Sequence, residues 1–473
     1  MSALAAQLER SAAVRGVLGA LDGVDAWLVG GTVRDALLDR PVLNEPDVVV
    51  AGDAERIARE LAEHLDAFVF PLSERFGAWR VIARDRAWQA DVTPARGTIE
   101  EDLALRDFTV NAMAVPAAEP GRLVDPHGGA ADLGARTLRA VGPRSFADDP
   151  LRVLRMARFA CELDFEVEPN THTLAAAEAA RIDTVAPERS FYELRRLVAG
   201  PAPRRGLDLM DSVGLVATLL PELEQLKGVE QNPYHHLDVW GHTLEVLDRV
   251  IEVTGDPAQV LGEAGEGIAR ELERPLADEL TRGEALRLGA LLHDAGKPAT
   301  RAVTEEGRVL FWGHDGVGAD IARAFGRRMH ASTALADFLA AIAQHHLRLG
   351  FLVHERPLSR RGIYRYMRAC EPVEVEVTVL SVADRLATMG PKTRQQAVED
   401  HVDLARQLAQ EALAWRAAER PRAPVRGDEL IAELQLEPGP EVGRLLDAIE
   451  EAAFAGDVRS REDALALARR ERS

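Results

Sequence analysis

The hydrophobic pattern of this chain changes about a third of the way along its length. Up to about residue 115, short apolar runs alternate with amphipathic stretches, which predicts an α/β head built on a small mixed sheet covered by helices. From about residue 138, long amphipathic helices follow one another, so the remainder should be mainly α-helical. We predict a head (1–136), a helical neck (137–225), a second helical domain (226–400) and a C-terminal helical module (401–473).

Individual elements of the head can also be placed. We predict helices at Ala3–Leu21, Val33–Leu38 and Ala54–Leu65, and strands at Trp27–Val29, Val48–Val50, Phe68–Phe70, Trp79–Ala83 and Trp88–Val92. Further along, Val373–Val379 alternates like a strand, but its helical surroundings favour a helix. Arg420–Val425 contains two prolines and predicts a linker before the last helices.

The charge balance limits the kinds of partner that this chain can bind. The 473 residues carry a formal net charge of −20, whereas non-specific nucleic-acid binding usually requires a basic domain. A local basic stripe can still bind phosphates on an acidic protein. Such a stretch, equally compatible with a solvated helix face, is formed by Arg195, Arg196, Arg204 and Arg205.

The cysteines and the apolar segments bear on the cellular compartment. Cys161 and Cys370 are far apart in sequence and cannot form a disulfide framework or a thiolate metal site. The N-terminus lacks the pattern of a signal peptide, and no apolar run approaches the roughly 18 residues that a membrane helix needs. We therefore expect a cytoplasmic protein without a membrane partner.

A strand, two glycines and a helix follow one another at Leu28–Leu38. Gly30 and Gly31 would let backbone N–H groups approach an anion closely, and the helix N-terminus would add its partial positive charge. The pattern indicates a phosphate-binding loop, although a tight strand-to-helix turn would produce the same residues.

Three carboxylates lie in or beside the predicted strands. Glu45 and Asp47 are two residues apart, so both are expected on one side of a strand, and Asp91 lies in an otherwise apolar strand. Acids placed in this way beside a phosphate loop suit nucleotidyl transfer with two Mg²⁺ ions, which would hold a triphosphate and activate a 3′-hydroxyl. The alternatives are an acidic turn at Glu45–Asp47 and a salt bridge between Asp91 and an arginine.

The segment at residues 100–114 predicts a charged helix that is followed by an arginine and an amide. Arg106 could clamp a phosphate, and Asn111 could form a hydrogen bond with a ribose hydroxyl. A surface ion pair for Arg106 and a helix or turn cap for Asn111 are the alternatives.

Taken in order, these motifs resemble the class II nucleotidyltransferases, the family of the bacterial CCA-adding tRNA nucleotidyltransferases and poly(A) polymerases. The resemblance covers roughly residues 25–225. Besides the acids at 45, 47 and 91, it rests on Leu28–Leu38, Arg106–Ala114, Val124–Gly129, Phe146–Phe159 and Glu188–Arg196.

The resemblance implies a role for each matching residue. Glu45, Asp47 and Asp91 would be the catalytic acids that bind Mg²⁺. Asp149 and Arg152 would select the incoming base in place of a nucleic-acid template, and an intrahelical ion pair between them is the alternative. The implied nucleotide-binding residues are Gly30, Gly31, Arg34, Arg106, Asp107, Asn111, Asp149, Arg152, Arg155 and Arg158.

The chain departs from the family pattern at its acids. The family usually has Asp-x-Asp where this chain has Glu45-Pro46-Asp47, and the acids fall one residue later after the glycine pair. Glutamate is one methylene longer, so a bound metal could shift by about 1 Å, which is enough to alter catalysis. Asp148 also stands where the family often has glutamate.

A second set of potential ligands begins at about residue 230. Neutral imidazole and carboxylate groups bind Mn, Ni, Fe or Zn ions, and carboxylates also suit Mg²⁺. The order His, His-Asp, Asp resembles the HD phosphohydrolase superfamily, whose site activates water against a phosphate ester and in which Lys297 would balance charge. By this resemblance the core ligands are His242, His293, Asp294 and Asp384, and His314 with one of His345 or His346, for which we expect His345, matches the extra ligands of two-metal members.

Together the resemblances imply template-independent addition of CCA, or part of it, from CTP and ATP to the 3′ end of tRNA. One alternative is an inactive RNA-binding head joined to an HD phosphohydrolase or cyclic phosphodiesterase, and another is a poly(A) polymerase. The HD segment and the tail at 425–457 favour the tRNA enzyme. Poly(A) polymerases of this family usually carry a basic tail, which is not expected in this acidic chain. The sequence leaves the HD metal and the oligomeric state open.

Overall fold

The computed structural model describes residues 3–42, 44–74, 76–417 and 423–472. The chain forms two compact units, one ending at Leu219 and the other starting at Leu220. Positions 420–422 of the predicted linker lie outside the described residues. Within the described ranges, no helix is both long enough and apolar enough to cross a membrane.

The head contains a six-stranded mixed sheet, which confirms the predicted fold class. Its strands are β1 (Ala26–Val29), β2 (Asp47–Val50), β3 (Ala67–Ser73), β4 (Ala78–Ala83), β5 (Gln89–Pro94) and β6 (Ala114–Pro116). They lie in the order β3-β4-β5-β2-β1-β6. Only the β2–β5 pair of this sheet is parallel. That pair brings Asp47 and Asp91 together.

Five helices accompany the sheet: α1 (Ala3–Leu8), α2 (Ala12–Ala20), α3 (Gly31–Leu37), α4 (Ala54–His64) and α5 (Ile99–Ala104). The prediction of a single helix over Ala3–Leu21 was wrong. The chain breaks at Ser11, whose side chain accepts a hydrogen bond from the Val14 N–H and so starts a new helix. The charged helix predicted ahead of Arg106 is α5, which ends at Ala104, and a 3₁₀ turn, Thr109–Asn111, follows.

The rest of the first unit is helical apart from two short strands, β7 (Thr137–Leu138) and β8 (Glu166–Val167). Its helices are α6 (Gly129–Gly134), α7 (Ser145–Asp148), α8 (Leu151–Leu163), α9 (Pro169–Glu178), α10 (Pro187–Ala199), α11 (Pro203–Ser212) and α12 (Leu215–Leu219), with a 3₁₀ stretch at Ala179–Thr184. Helix α8 packs against α10 and α11. Two arginines of α8 reach the head motifs, because Arg152 donates to the Arg106 carbonyl and Arg155 donates to Asp107.

The second unit is built almost entirely from helices. They are α13 (Pro221–Glu224), α14 (Val239–Gly255), α15 (Pro257–Leu261), α16 (Gly265–Leu272), α17 (Arg282–Leu292), α18 (Lys297–Thr300), α19 (His314–Arg328), α20 (Thr333–His345), α21 (Arg348–Leu352), α22 (Arg360–Cys370), α23 (Glu374–Ala387), α24 (Gln395–Ala417), α25 (Gly427–Leu434), α26 (Pro440–Ala455) and α27 (Arg461–Arg472). Short 3₁₀ turns lie at Gly262–Ala264 and Val353–Glu355, and two hairpins pair β9 (Pro275–Ala277) with β10 (Leu280–Thr281) and β11 (Ala302–Val303) with β12 (Val309–Leu310).

Helix α23 explains the strand-like pattern at Val373–Val379. Every residue from Glu374 to Ala383 is buried, because α14, α17, α22 and α24 surround this helix. A helix that is buried all round does not need an amphipathic pattern. The preference for a helix at this segment is confirmed.

Candidate active site and metal centre

The glycine pair lies where a side chain would collide with functional groups. Gly30 has φ 66°, which disfavours residues with a Cβ, and it precedes the first turn of α3. A Cβ atom at Gly30 would lie 3.2 Å from both Asp47 Oδ2 and Arg106 Nη1. Gly30 therefore opens a concave space beside an acid and a cation, as a phosphate-binding loop requires.

Asp47 and Asp91 are direct neighbours across the parallel β2–β5 pair. Residues in register on neighbouring strands point to the same face of a sheet. Asp91 also lies opposite Arg80 on β4, and the Arg80 Nε and Nη2 atoms lie 2.7 and 2.8 Å from the two Asp91 oxygens. The salt bridge that the sequence left as an alternative for Asp91 is thus present, and sequence reasoning did not identify its partner.

The surroundings of Asp47 disfavour its negative charge, so a nearby cation would stabilise it. Loss of water around its carboxylate raises the pKa of Asp47 to about 6, while Arg106 opposes this shift and the charge of Asp91 adds to it. Asp47 is nevertheless exposed to solvent at the start of β2. A divalent cation between Asp47 and Asp91 would remove this cost, so these two carboxylates fit a magnesium site.

Glu45 lies outside β2, two residues before the start of the strand, and is exposed. It lines a small recess of about 180 Å³ together with Asn44, Arg86 and Trp88. In the described part of the chain, the groups of three ligand-type side chains close enough to share an ion do not include Glu45, Asp47 or Asp91. The structure thus brings Asp47 and Asp91 together and leaves Glu45 at the edge.

The polar groups that follow α5 hold one another in place. Arg106 has a buried Nε that donates no hydrogen bond within the described residues, and its Nη2 lies 3.5 Å from Asp102. Arg34 donates from Nη1 to Asn111 at 2.7 Å, and Asn111 donates to Asp107 at 3.1 Å. Arg106 therefore has unused donor capacity beside Gly30, whereas Arg34 and Asn111 are engaged with protein groups.

A buried ion network links the head motif to the neck helices. Arg155 donates to Asp107 at 2.9 and 2.7 Å and to Glu193 at 2.9 Å. Burial alone would raise the pKa of Asp107, but its ion pair with Arg155 lowers it to about 2. Arg158 is 2 % exposed and pairs with Glu193 and Glu162. The assignment of Arg158 to nucleotide binding needs correction, because these carboxylates enclose its guanidinium in the core.

A cleft of about 330 Å³ collects the remaining predicted contacts. Asp149 accepts from Arg189 at 2.8 Å, and Arg152 donates to the carbonyls of Leu105 and Arg106 at 2.6 and 3.1 Å. The two side chains therefore do not form the intrahelical pair considered from the sequence. The charged residues that line this cleft are Arg96, Asp102, Arg106, Asp107, Asp149, Arg152, Arg155 and Arg189. Arg96 and Arg189 were missed, although Arg189 belongs to the second neck motif.

In the second unit, the predicted histidine and aspartate residues converge from separate helices. His242 Nε2 lies 3.0 Å from Asp384 Oδ1 and 3.7 Å from Asp294 Oδ2. Two groups of three buried side chains, which share Asp294, are close enough to hold an ion: His242 with His293 and Asp294, and His314 with His346 and Asp294. We call these residues together with Asp384 the HD cluster.

Backbone carbonyls orient three rings of this cluster. The Nδ1 atoms of His293, His314 and His346 lie 2.7, 2.6 and 2.7 Å from backbone carbonyl oxygens. An N–H at Nδ1 leaves the Nε2 lone pair free, which is the form that binds a metal. His293 Nε2 and Asp294 Oδ1 are buried without a hydrogen bond in the described structure, whereas Asp294 Oδ2 is ion-paired with Lys297. Unsatisfied ligand atoms of this kind fit a bound divalent metal.

The predicted ligand His345 needs correction. Its Nδ1 accepts a hydrogen bond from Arg348 Nε at 2.9 Å, whereas His346 Nε2 lies 3.6 Å from Asp294 Oδ1. His346 directly follows the last residue of α20, and its neighbour His345 points elsewhere. Lys297 Nζ lies 2.6 Å from Asp294 Oδ2, which is ion-pair distance.

Three family models match successive parts of the chain. The poly A polymerase head domain matches residues 26–139, and the probable RNA and SrmB-binding site of polymerase A matches residues 164–227. The HD domain matches residues 239–389, which include the whole HD cluster. Both family resemblances inferred from the motifs are confirmed.

Relatives match almost the entire chain. An A-adding tRNA nucleotidyltransferase of Deinococcus radiodurans is 35 % identical over 94 % of this chain and 95 % of its own length. A CC-adding tRNA nucleotidyltransferase of Thermus thermophilus is 34 % identical over 94 % of this chain and 93 % of its own. The solved complex of a CCA-adding enzyme with CTP has the same fold, with a TM-score of 0.65 at 20 % identity, covering 100 % of this chain and 99 % of that one. On this similarity, the chain belongs to the family of tRNA nucleotidyltransferases, enzymes that add nucleotides to the 3′ end of tRNA.

Proposed function

We propose that this protein transfers nucleotidyl groups from CTP, ATP or both to the 3′ end of tRNA. The observation that carries the proposal is the meeting of Gly30, Asp47 and Arg106, where a Cβ on the glycine would touch the acid and the cation at 3.2 Å. Asp91 stands in register beside Asp47. A triphosphate at this place would meet backbone N–H groups, a guanidinium and a pair of acids suited to a metal.

The reaction that fits this arrangement is an in-line displacement. The 3′-oxygen of the RNA forms a bond to the α-phosphorus, the bond from that phosphorus to the bridging oxygen breaks, and pyrophosphate leaves while the hydroxyl proton passes to solvent. Magnesium held by Asp47 and Asp91 would supply charge neutralisation and a lower hydroxyl pKa. Arg106 would bind the phosphates, and we assign Glu45 to the edge of this site.

The cleft lined by Asp149 and Arg152 supports selection of the base by protein groups. A carboxylate offers acceptors and a guanidinium offers fixed donors, so together they can pair with the edge of a nucleobase. Arg189 fixes Asp149, and backbone carbonyls fix Arg152. Because these side chains are already held in place, they can form hydrogen bonds with a base edge at a low cost in conformational entropy.

The test is incorporation of each labelled NTP into tRNAs that end before, within and after the CC of the terminal sequence. We expect Mg²⁺-dependent addition that Asp47→Asn reduces by at least about 100-fold, in line with the loss of an electrostatic catalytic group. The preferred substrate end distinguishes A addition, CC addition and full CCA addition. Absence of incorporation with every NTP and every tRNA end would refute the proposal. Because tRNA is its proposed substrate, we place the enzyme in the cytoplasm.

The HD cluster favours a second candidate function, metal-dependent hydrolysis of a phosphate ester. Two ligand groups that share Asp294 suit a two-metal site, in which bound ions supply an activated water. Lys297 would neutralise phosphate charge. We expect release of phosphate from nucleoside monophosphates that Asp294→Asn abolishes while nucleotide addition continues. Equal hydrolysis by both forms would assign the activity to a contaminant.

A further inference from the structure

The carboxylates of the head belong to a row of side chains that crosses the sheet. Asp47 on β2 is in register with Asp91 on β5. Asp91 lies opposite Arg80 on β4, which in turn lies opposite Phe70 on β3. Residues in register on neighbouring strands point to the same face of a sheet. Phe70 therefore lies on the face that carries the acids, at the other end of the row.

Helix α4 covers the opposite face of the sheet. It packs against β3, β4 and β5, and its Arg59 lies over the ring of Trp79 at 5.2 Å. Trp79 alternates with Arg80 along β4 and so points away from the acids. On the acid face, by contrast, the rings of Phe68 and Phe70 are 52 % and 42 % exposed. We call these two residues the β3 ring pair, and adjacent exposed rings of this kind usually mark a binding surface.

The free edge of β3 is poorly suited to pairing with a strand from another chain. β3 is the first strand in the order of the sheet, but Pro71 has no N–H to donate, and the register shifts between Pro71 and Ser73. An exposed ion pair between Asp66 and Arg84 lies just before the strand and after its partner β4. These features oppose a partner strand at the edge and favour a ligand that lies on the face of the ring pair.

Cations and a further ring accompany the β3 ring pair. The guanidinium of Arg84 lies over the ring of Phe68 at 5.0 Å. Phe76, which follows β3, is exposed and lines the cleft together with Arg106, and Arg96 lies over its ring at 5.4 Å. Arginines beside aromatic rings are typical of surfaces on which the bases of single-stranded nucleic acids stack. Exposed rings thus lead from β3 to the proposed nucleotide cleft.

The position of the ring pair suits a strand of RNA that ends at the acids. Three strand spacings of about 4.8 Å separate β3 from β2, so Phe70 lies about 14 Å from Asp47 across the sheet. Stacked nucleotides spaced at about 3.4 Å cover this distance with about four residues. A 3′-hydroxyl beside Asp47 therefore places the nucleotides that precede it at the ring pair.

We propose that Phe68 and Phe70 position the RNA substrate by stacking on bases that lie a few nucleotides before the reacting 3′ end. Stacking on aromatic rings accepts every base, so it tolerates different sequences ahead of a shared end. On a chain with a net charge of −20, it also supplies affinity that does not depend on phosphate contacts. The inference rests on the proposed function and names two positioning residues for its RNA substrate.

The test measures the Kd of the full chain for a labelled tRNA that lacks only its terminal A, in the absence of NTP. Loss of one stacking ring should weaken binding about tenfold, so Phe68→Ala and Phe70→Ala should each raise the Kd by roughly that factor. The factor should be the same at about 50 and about 200 mM salt, because no phosphate contact is lost. Phe70→Trp should restore the wild-type Kd, whereas Phe70→Leu, which is apolar but has no ring, should not.

Kinetics of addition separate positioning of the RNA from a general disturbance of the head. In Phe70→Ala, the KM for tRNA should rise about tenfold, while kcat and the KM for the NTP stay at their wild-type values. A disturbed head would instead lower kcat or raise the KM for the NTP.

Modified RNA tests the contact from the other side. Abasic residues are placed one at a time at each of the last few positions of the tRNA. At one or more positions the wild type should bind about tenfold more weakly, and Phe70→Ala should show no further loss at the same positions. Such a result would couple the ring directly to a base.

The matched control is Phe351→Ala, which removes an exposed ring from the second unit and should leave the Kd unchanged. Wild-type Kd in both ring-pair variants, or additive losses for Phe70→Ala and the abasic residue at every position, would overturn the inference. A dimer that Phe70→Ala dissociates without weaker tRNA binding would also overturn it and assign the rings to a second copy of this chain. Because the Kd is measured without NTP, tRNA binding without any addition would reject the proposed function alone.

Discussion

Arg80 holds both oxygens of Asp91, at 2.7 and 2.8 Å, across the antiparallel pair β4–β5. The side chains of Arg80 and Asp91 are 27 % and 24 % exposed, so the pair lies at the border between core and solvent. The hydrogen bond with Asp91 is the largest cause that raises the pKa of Arg80, and the negative charges of Asp91, Glu45 and Asp47 raise it further. The Arg80 guanidinium thus neutralises part of the negative charge of the carboxylates that would bind a divalent metal.

Removal of Arg80 should strengthen metal binding to the head. Arg80→Met frees Asp91, and a partly exposed ion pair is worth about 1 kcal/mol, which corresponds to roughly a fivefold lower Kd for Mn²⁺. Electron paramagnetic resonance of Mn²⁺ titrated into the protein without substrate measures this Kd. An Asp294→Ala background, which removes the residue that both ligand groups share, suppresses the signal of the HD cluster. Arg80→Lys keeps the charge but not the two parallel hydrogen bonds, so its Kd for Mn²⁺ should lie between those of the wild type and Arg80→Met. An unchanged Kd for both variants would contradict the view that Arg80 competes with the metal for Asp91.

Neutralising Asp47 should stabilise the metal-free protein in a pH-dependent way. A carboxyl whose pKa is raised to about 6 by folding favours the folded state while protonated. That contribution is complete below about pH 4 and is lost as the pH rises through about 6. Because solvent reaches Asp47, we expect Asp47→Asn to gain only about 1 kcal/mol at pH 7.5.

Thermal unfolding in EDTA at pH 7.5 and pH 5 measures this effect, and the gain in Tm should be smaller at pH 5. Added Mg²⁺ should raise the Tm of the wild type more than that of Asp47→Asn. A gain that is larger at pH 5 than at pH 7.5 would contradict the raised pKa.

Gly30→Ala should reduce nucleotide addition much more than it reduces stability. The new methyl group would press on Asp47 and Arg106 at 3.2 Å in a backbone conformation with φ 66°. We expect at least a tenfold loss of kcat/KM for the NTP, because misplacement of about 1 Å in an active site can cost about 100-fold. Steady-state kinetics with tRNA measures this loss, and urea unfolding should show a cost of about 1–2 kcal/mol.

The matched control is Gly19→Ala in α2, where a Cβ meets no atom within 4 Å. It should leave addition unchanged, since its only effect is better helix formation. If both alanine variants kept full activity, the close approach at Gly30 would have no role in catalysis.

His346→Ala should lower the metal content of the second unit, and His345→Ala should not. The ring of His346 belongs to a buried group with His314 and Asp294, whereas the ring of His345 accepts from Arg348. We expect about one metal ion fewer per chain for His346→Ala, measured by mass spectrometry after dialysis against Mn²⁺. The reverse order of metal content would restore His345 as the ligand.

Local patterns predicted the fold and the order of the motifs, because runs of apolar residues and glycine turns are short-range signals. The partner of Asp91 was not predicted, since it depends on the register of the β4–β5 hairpin. A cation in the apolar run Trp79–Ala83 was the available signal. The burial of Arg158 was missed because Glu193 lies 35 residues away in sequence. His345 and His346 are adjacent at a helix end, where helical phase alone does not choose between them.

Asp47 and Asp91 are neighbours only while β2 and β5 keep their register. Insertions are therefore tolerable in the loops before these strands but not within the strands. Residues 40–42 and 44–46, which precede β2, belong to no helix or strand, so a change of length there need not alter the register of β2 and β5. An insertion inside β2 or β5 would instead turn one of the two acids to the far side of the sheet. We therefore expect a change of length in this loop to leave nucleotide addition intact, whereas one residue inserted within β2 or β5 should abolish addition without unfolding the head.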